Sequence, residues 1–170
     1  MIIQNYGLHW RRDGVNWGRP GAGNQGHLTG RLASRVNSPN VNFREQSGIY
    51  ILQDGFKPVY IGQTGRGDQR LFSRLKAHQK NHLAERWDRF SWFGVYPVKK
   101  GVLDLKANVA KISTTIESIL DHVEGVLMLV TEPPLNKQGA RMGDADQYRQ
   151  IPTSGSRAAA DSLIEDEDEE

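Results

Sequence analysis

Two short runs of aliphatic and aromatic residues, separated by a five-residue segment, constrain this chain more than any other feature. The first run is GIYIL at 48–52, and the second is PVYIG at 58–62. The intervening segment contains Asp54-Gly55, a pair that is typical of tight hairpin turns. Because β-branched and aromatic side chains favour strands, the two runs are predicted to form an antiparallel hairpin.

A helix is predicted after the hairpin, over about 69–80. Leu71 and Leu75 lie four residues apart and define a buried stripe. Arg74 and His78 have the same spacing beside that stripe. These two polar side chains should therefore border the core instead of facing open water.

The later part of the chain predicts a third strand and a long helix. The aromatic run at 90–96 ends before a proline and is predicted to be the strand, after a short helix over 83–89. The long helix is predicted over 114–130, where Thr114-x-x-Glu117 has capping-box spacing. Seven apolar residues recur there with helical periodicity: Ile116, Ile119, Leu120, Val123, Val126, Leu127 and Val130. We therefore expect a small α/β (α+β) domain with a three-stranded antiparallel sheet flanked by helices.

Composition divides the chain into three segments. Residues 1–46 are rich in Gly, Asn and Arg and are predicted to pack on the core as an extension. Residues 47–139 contain the predicted sheet and helices. Residues 140–170 are polar and are predicted to be a disordered acidic tail.

The charge distribution favours a nucleic-acid partner. The formal net charge is +2, but seven of the 20 acidic residues lie in 161–170, where there is no Lys or Arg. Residues 1–160 therefore carry all 22 basic residues against 13 acids, a net charge of +9. DNA is the expected partner, with RNA as an alternative. A solubility tail on a body of ordinary charge would explain the same numbers.

Several classes of protein are excluded by simple features. The absence of cysteine excludes disulfides, cysteine-ligated zinc and a thiol nucleophile. No apolar run approaches the roughly 20 residues of a membrane span. The first residues do not resemble a secretory signal. We therefore expect a cytoplasmic protein with no membrane partner. The run GAGNQG at 21–26 matches G-x-G-x-x-G, but it lacks the preceding strand and the following helix of a dinucleotide site.

Five sequence elements, taken in order, resemble the GIY-YIG nuclease family. They are GIY at 48–50, YIG at 60–62, Arg74-Leu75-x-x-His78, Glu124, and Pro133-x-x-Asn136. The resemblance covers about 47–137, slightly over half of the chain. It implies an endonuclease that hydrolyses DNA phosphodiester bonds with Mg²⁺ or Mn²⁺.

Glu124 is the predicted metal ligand. Mg²⁺ is commonly held by one or two carboxylates, with water and substrate phosphate completing its shell. The resemblance also implies that the late helix presents a metal-binding glutamate. Glu117 is the alternative, since it lies on the same side of the helix two turns earlier, but a capping role would account for it.

The other predicted catalytic residues are Tyr50, Tyr60, Arg74 and His78. Arg74 keeps its charge at working pH and is suited to binding phosphate oxygens, with a structural salt bridge as the alternative. The resemblance implies that Tyr50 activates water and that Tyr60 orients it or contacts phosphate, whereas packing in the hairpin would also explain both. His78 is predicted to transfer a proton or contact phosphate.

A further group of residues is predicted to contact substrate or to support the site: Gly62, Gln63, Thr64, Lys57 and Asn136. A side chain at Gly62 would crowd the tyrosines or the substrate. Asn136 is expected to fix the end of the Glu124 helix or an active-site loop.

Four alternatives to a DNA endonuclease of restriction, defence or mobile-element biology stay open. They are a nucleic-acid-binding module that lacks activity, an RNA-directed nuclease, a DNA repair nuclease, and a protein-interaction domain whose basic body meets an acidic partner. The sequence does not define an oligomeric state, although cutting both strands would generally require two active sites and therefore favour a dimer.

Overall fold

The computed structural model describes residues 2–21, 23–35, 37–64, 67–99, 105–106, 115–132, 139–140 and 142–161. The strands are β1 (Asn5–Arg11), β2 (Thr29–Leu32), β3 (Val41–Asn42), β4 (Gly48–Asp54), β5 (Lys57–Gln63), β6 (Arg89–Gly94) and β7 (Asp146–Gln150). The helices are α1 (Leu71–His78) and α2 (Ile116–Thr131), and a 3₁₀ turn spans Arg12–Gly14. In the part of the chain described, neither helix combines the length and the apolar composition needed to cross a bilayer.

The described strands join one open sheet in the order β3-β2-β7-β1-β6-β4-β5. The mixed α and β class is therefore confirmed, but the predicted three-stranded sheet is wrong. The three predicted strands form only one end of the seven-stranded sheet. β1 extends it by pairing antiparallel with β6, and β7 lies parallel to β1 and antiparallel to β2.

Aromatic packing explains why the N-terminal segment belongs to the sheet. Trp10 on β1 is only 2% exposed, and its ring meets Trp92 edge-on at a centroid distance of 5.4 Å. Its indole N–H donates to the carbonyl of Tyr148 on β7 at 3.1 Å. Burying an indole in this way removes a large apolar area from water while satisfying its donor. Because residues 1–46 are mostly polar, their composition did not indicate that they contribute a strand to the sheet.

The structure also differs from the disordered tail expected at 140–170. Residues 146–150 form β7, and Tyr148 on that strand is buried. Residues 157–161 form a helical turn, where Ala158 is buried and Asp161 forms an ion pair with Arg11. The described C-terminal residues are therefore part of the domain.

The predicted hairpin is present as β4 and β5. In its register Tyr50 lies opposite Gly62 and Leu52 lies opposite Tyr60, before an irregularity at Gln53. Directly opposed residues of antiparallel strands share a face of the sheet. Tyr50 and Tyr60 are therefore on the same face, a question that the sequence left open.

Helix α1 covers this face of the hairpin. Its Leu71 and Leu75 are buried in one cluster with Tyr50 and Leu52, and Tyr60 packs against the same cluster. The predicted helix at 69–80 is thus confirmed with shorter bounds. The short helix predicted over 83–89 is not formed, because turns lead directly into β6.

Helix α2 packs on the opposite face of the sheet. Its inward side, together with Ile49 and Ile51 of β4 and Ile61 of β5, lines an apolar cleft of about 270 Å³. The hydroxyl of Thr115 accepts the Ser118 N–H at 3.2 Å and provides the N-cap. Thr114, which the sequence predicted as the cap, lies outside the described residues.

The buried side of α2 differs from the predicted apolar stripe. The buried residues of α2 are His122, Gly125 and Val130. Four stripe residues are instead more than half exposed: Ile116, Leu120, Val123 and Leu127. Five of the seven stripe residues nevertheless line the cleft with β4 and β5, so the stripe faces an open cleft instead of being buried against the sheet.

Candidate functional site

Four of the predicted catalytic residues meet on the α1 face of the hairpin. Tyr50 comes from β4 and Tyr60 from β5, while Arg74 and His78 lie one turn apart on α1. The two tyrosine rings are 6.2 Å apart between centroids. The His78 ring lies 5.7 Å from the Tyr50 ring and 5.0 Å from the Tyr60 ring. We call these four residues the tyrosine–arginine cluster.

A hydrogen-bonded chain runs through the buried side of the cluster. The hydroxyl oxygen of Tyr50 lies 2.8 Å from Nε2 of His78. The other ring nitrogen of His78, Nδ1, accepts a hydrogen bond from the amide nitrogen of Asn81 at 2.9 Å. Tyr50 is fully buried and His78 is only 4% exposed, so these bonds satisfy groups that water would otherwise have to solvate.

Arg74 lies at the more open side of the cluster. A hydrogen bond to Tyr50 is the main cause that raises the pKa of Arg74, so the guanidinium is charged at any working pH. Its Nε atom is buried and has no hydrogen-bond partner among the described residues. The permanent charge of the guanidinium suits it to bind an anionic group.

Burial and the Arg74 charge have opposite effects on Tyr50. Burial raises the pKa of Tyr50, and the hydrogen bond from Arg74 lowers it by a smaller amount. The net direction is upward, so Tyr50 is a neutral phenol at pH 7 in the free protein. For His78, burial and the nearby Arg74 charge both lower the pKa, which leaves the imidazole neutral at the same pH.

Gly62 makes room for the Tyr50 ring. A Cβ built on Gly62 would lie closer than 3.0 Å to the ring carbon and the hydroxyl oxygen of Tyr50. Gly48 has a comparable role at the start of β4, where a Cβ would collide with the Phe93 carbonyl oxygen. Glycine in each family-like tripeptide is therefore required by a close approach.

The remaining predicted contact residues lie outside the cluster. Gln63 is exposed and pairs with Ile49, which faces the α2 side, and Lys57 is exposed at the other end of β5. The Thr64 hydroxyl accepts the Gly48 N–H at 2.9 Å and helps to close the hairpin. Asn136 lies outside the described residues.

Glu124 is not brought to the cluster. It is exposed on α2, where it borders a shallow depression with Asp121 and Thr131. Helix α2 covers the opposite face of the sheet from Tyr50 and Arg74. The predicted convergence of a carboxylate with the phenols and the guanidinium is therefore not seen.

The residues of the cluster do not fit a bound Mg²⁺ or Mn²⁺. These ions prefer carboxylate and carbonyl oxygens. The cluster offers two phenols, one neutral imidazole and a cationic guanidinium, and the last of these would repel a metal ion.

Asn81 is the site residue that sequence reasoning missed. It follows His78 by three residues, a spacing that places side chains on neighbouring positions of a helical turn. That spacing was the available signal, but α1 ends at His78 and the turn beyond it was not predicted.

Comparisons with family models, curated proteins and solved structures give no match to this chain.

Proposed function

We propose that this protein is an endonuclease that hydrolyses phosphodiester bonds in DNA, and that the tyrosine–arginine cluster is its active site. The observation that carries the proposal is the convergence of two phenols, a guanidinium and an imidazole from β4, β5 and α1. The order of GIY, YIG, Arg74 and His78 in the sequence resembles that of GIY-YIG nucleases, and this resemblance supports the same proposal. The proposed fold is accordingly GIY-YIG-like at the β5-β4-β6 end of the sheet.

In this proposal Arg74 binds the scissile phosphate. Its permanent charge suits the guanidinium to hold phosphate oxygens and to stabilise the additional negative charge of the transition state. Tyr60, which is partly exposed, contacts the phosphate or orients the attacking water. Substrate would meet these two residues first, since Tyr50 and His78 lie deeper.

Tyr50 supplies the base. Tyr50 first loses its proton to solvent; water then attacks phosphorus, its proton passes to the phenolate oxygen of Tyr50, and the P–O bond opposite the attacking oxygen breaks. The leaving oxygen takes a proton from solvent. Arg74 and His78 lie beside the Tyr50 oxygen and would stabilise the phenolate. The neutral His78 is suited to this role because it can donate a hydrogen bond without needing a counterion.

A nucleic-acid-binding module without cleavage activity is the second candidate. Two observations favour it: Tyr50 is fully buried, and no described carboxylate joins the cluster. The net charge of +9 over residues 1–160 would support DNA or RNA binding in either case. We further propose a cytoplasmic location, with restriction, defence, mobile-element biology or repair as the possible settings.

The decisive experiment measures nicking of supercoiled plasmid with Mg²⁺, with Mn²⁺ and with EDTA. The wild-type chain should nick, and Tyr50→Phe and Arg74→Ala should lower the rate at least a hundredfold, within the range typical of lost acid–base or electrostatic catalysis. Arg86→Ala is the matched control, because Arg86 is an exposed arginine outside the cluster. Binding without nicking under all three conditions would favour the second candidate.

The same assay tests the predicted metal ligand. If Glu124 holds an essential Mg²⁺ or Mn²⁺, Glu124→Gln should abolish nicking, and EDTA should do the same to the wild type. The control is Glu85→Gln, since Glu85 is exposed and lies outside both α2 and the cluster. Full activity of Glu124→Gln would remove this residue from the site and leave the tyrosine–arginine cluster unaffected. A panel of DNA and RNA substrates would then define the substrate class.

A further inference from the structure

The orientation of the Asn81 side chain is fixed by the backbone beyond α1. Its Oδ1 accepts the N–H of Leu83 at 2.9 Å, while its Nδ2 lies 2.9 Å from Nδ1 of His78. A peptide N–H can only donate, so the amide oxygen must face Leu83. The NH₂ group must therefore face His78, because rotating the amide by 180° would set two donors against each other.

This orientation determines where His78 carries its proton. Nδ1 must accept the hydrogen bond from Asn81, so the single proton of the neutral imidazole lies on Nε2. Nε2 is the atom that lies 2.8 Å from the hydroxyl oxygen of Tyr50. His78 is thus the donor in this bond, and Tyr50 is the acceptor.

We propose that Asn81 is a positioning residue that holds His78 in the Nε2–H tautomer, so that His78 donates to the Tyr50 oxygen. A donor to the phenol oxygen stabilises the phenolate relative to the phenol, and the nearby Arg74 charge acts in the same direction. The opposite tautomer would accept the Tyr50 proton in a hydrogen bond and stabilise the phenol. The catalytic consequence rests on the proposed function, whereas the tautomer itself does not.

Asn81→Asp is the variant that separates this role from a purely structural one. One carboxylate oxygen can still accept the Leu83 N–H, so the turn is preserved. The other oxygen can only accept, which favours a proton on Nδ1 of His78 and reverses the tautomer. Asn37→Asp is the control, because Asn37 is exposed and the change in charge is the same.

The first measurement is the ¹⁵N chemical shift of the two His78 ring nitrogens in the full-length protein near pH 8, without DNA. His78→Gln identifies the signals. We expect a protonated Nε2 and an unprotonated Nδ1 in the wild type and in Asn37→Asp, and the reverse in Asn81→Asp. The second measurement is plasmid nicking, in which kcat of Asn81→Asp should fall about ten- to a hundredfold, with KM little changed, as for other partners that orient a functional histidine.

The outcomes distinguish the two proposals. A wild-type His78 that is protonated on Nδ1 overturns the role of Asn81, whether or not the protein cleaves DNA. The expected reversal with an unchanged kcat overturns its catalytic consequence. The expected tautomer in a protein that cleaves no nucleic acid supports the positioning role and contradicts the proposed nuclease. Because the wild-type shifts alone decide the tautomer, the test does not depend on the variant folding.

Discussion

Replacing Gly62 by alanine tests the packing on which the tyrosine–arginine cluster depends. The added Cβ would come closer than 3.0 Å to the Tyr50 ring, a separation that real Cβ atoms essentially never show. Tyr50 is fully buried, so its ring has no free space into which it can move. The backbone of Gly62 is outside the left-handed region, so alanine is compatible with the local conformation and only the collision matters.

Two opposing contributions set the expected magnitude of Gly62→Ala. Overpacking a core position destabilises by about 1–3 kcal/mol. Loss of glycine flexibility from the unfolded chain stabilises by about 0.4–1 kcal/mol. The free energy of unfolding should therefore fall by about 1–2 kcal/mol. With a urea dependence near 2 kcal/mol per molar, the unfolding midpoint should fall by roughly 0.5–1 M.

Gly139→Ala provides the matched control in urea unfolding followed by circular dichroism. A Cβ at Gly139 would meet no heavy atom of the described residues within 4 Å, and the backbone there is also outside the left-handed region. Its midpoint should stay at or slightly above that of the wild type. If Gly62→Ala unfolds at the same urea concentration as Gly139→Ala, the Tyr50 ring does not occupy the space above Gly62 and the geometry of the cluster is wrong.

Three further predictions follow from the same structure. Burial raises the pKa of Tyr50 above 10, so if Tyr50 is the base, log kcat for plasmid nicking should rise with a slope near one between pH 6 and 9; a plateau below pH 8 would contradict this. Leu129→Ala should lower the free energy of unfolding by more than Leu120→Ala in urea titrations, because Leu129 packs on the core and Leu120 is 62% exposed; the reverse order would contradict the orientation of α2. Deleting residues 162–170 removes six acids and should tighten DNA binding at low salt but not at high salt, as measured by fluorescence anisotropy. If the deletion variant and the wild type have the same Kd at all salt concentrations, the tail has no electrostatic role.

Local signals predicted the hairpin end of the fold well. The Asp54-Gly55 turn and the flanking aliphatic runs gave β4 and β5, and the four-residue spacing of Leu71 and Leu75 gave α1. These signals act within a few residues, which is why a sequence alone can carry them. The pairing of β1 with β6 and of β7 with β1 joins residues 78 or more positions apart, and no local pattern specifies such pairs.

The predicted site was only partly accessible to the same reasoning. Arg74 and His78 could be placed beside a buried stripe because helical spacing fixes their direction. The common face of Tyr50 and Tyr60 required the strand register, which a one-residue slip would have reversed. Asn81 acts beyond the end of α1, where its geometry depends on the Leu83 backbone and not on a repeating pattern.

The position of Glu124 follows from how α2 lies on the sheet. Val123 and Leu127 of the predicted stripe line the open cleft with β4 and β5, whereas His122, Gly125 and Val130 are the buried residues of the helix. At 100° per residue, Glu124 lies about 160° from His122 and about 100° from Val123, so it points away from the buried side of α2. Because the orientation of α2 sets both its buried side and the direction of Glu124, the comparison of Leu120→Ala with Leu129→Ala also tests where Glu124 points. A larger loss of stability for Leu120→Ala would indicate that Leu120 is buried and that the neighbouring Glu124 lies closer to the sheet.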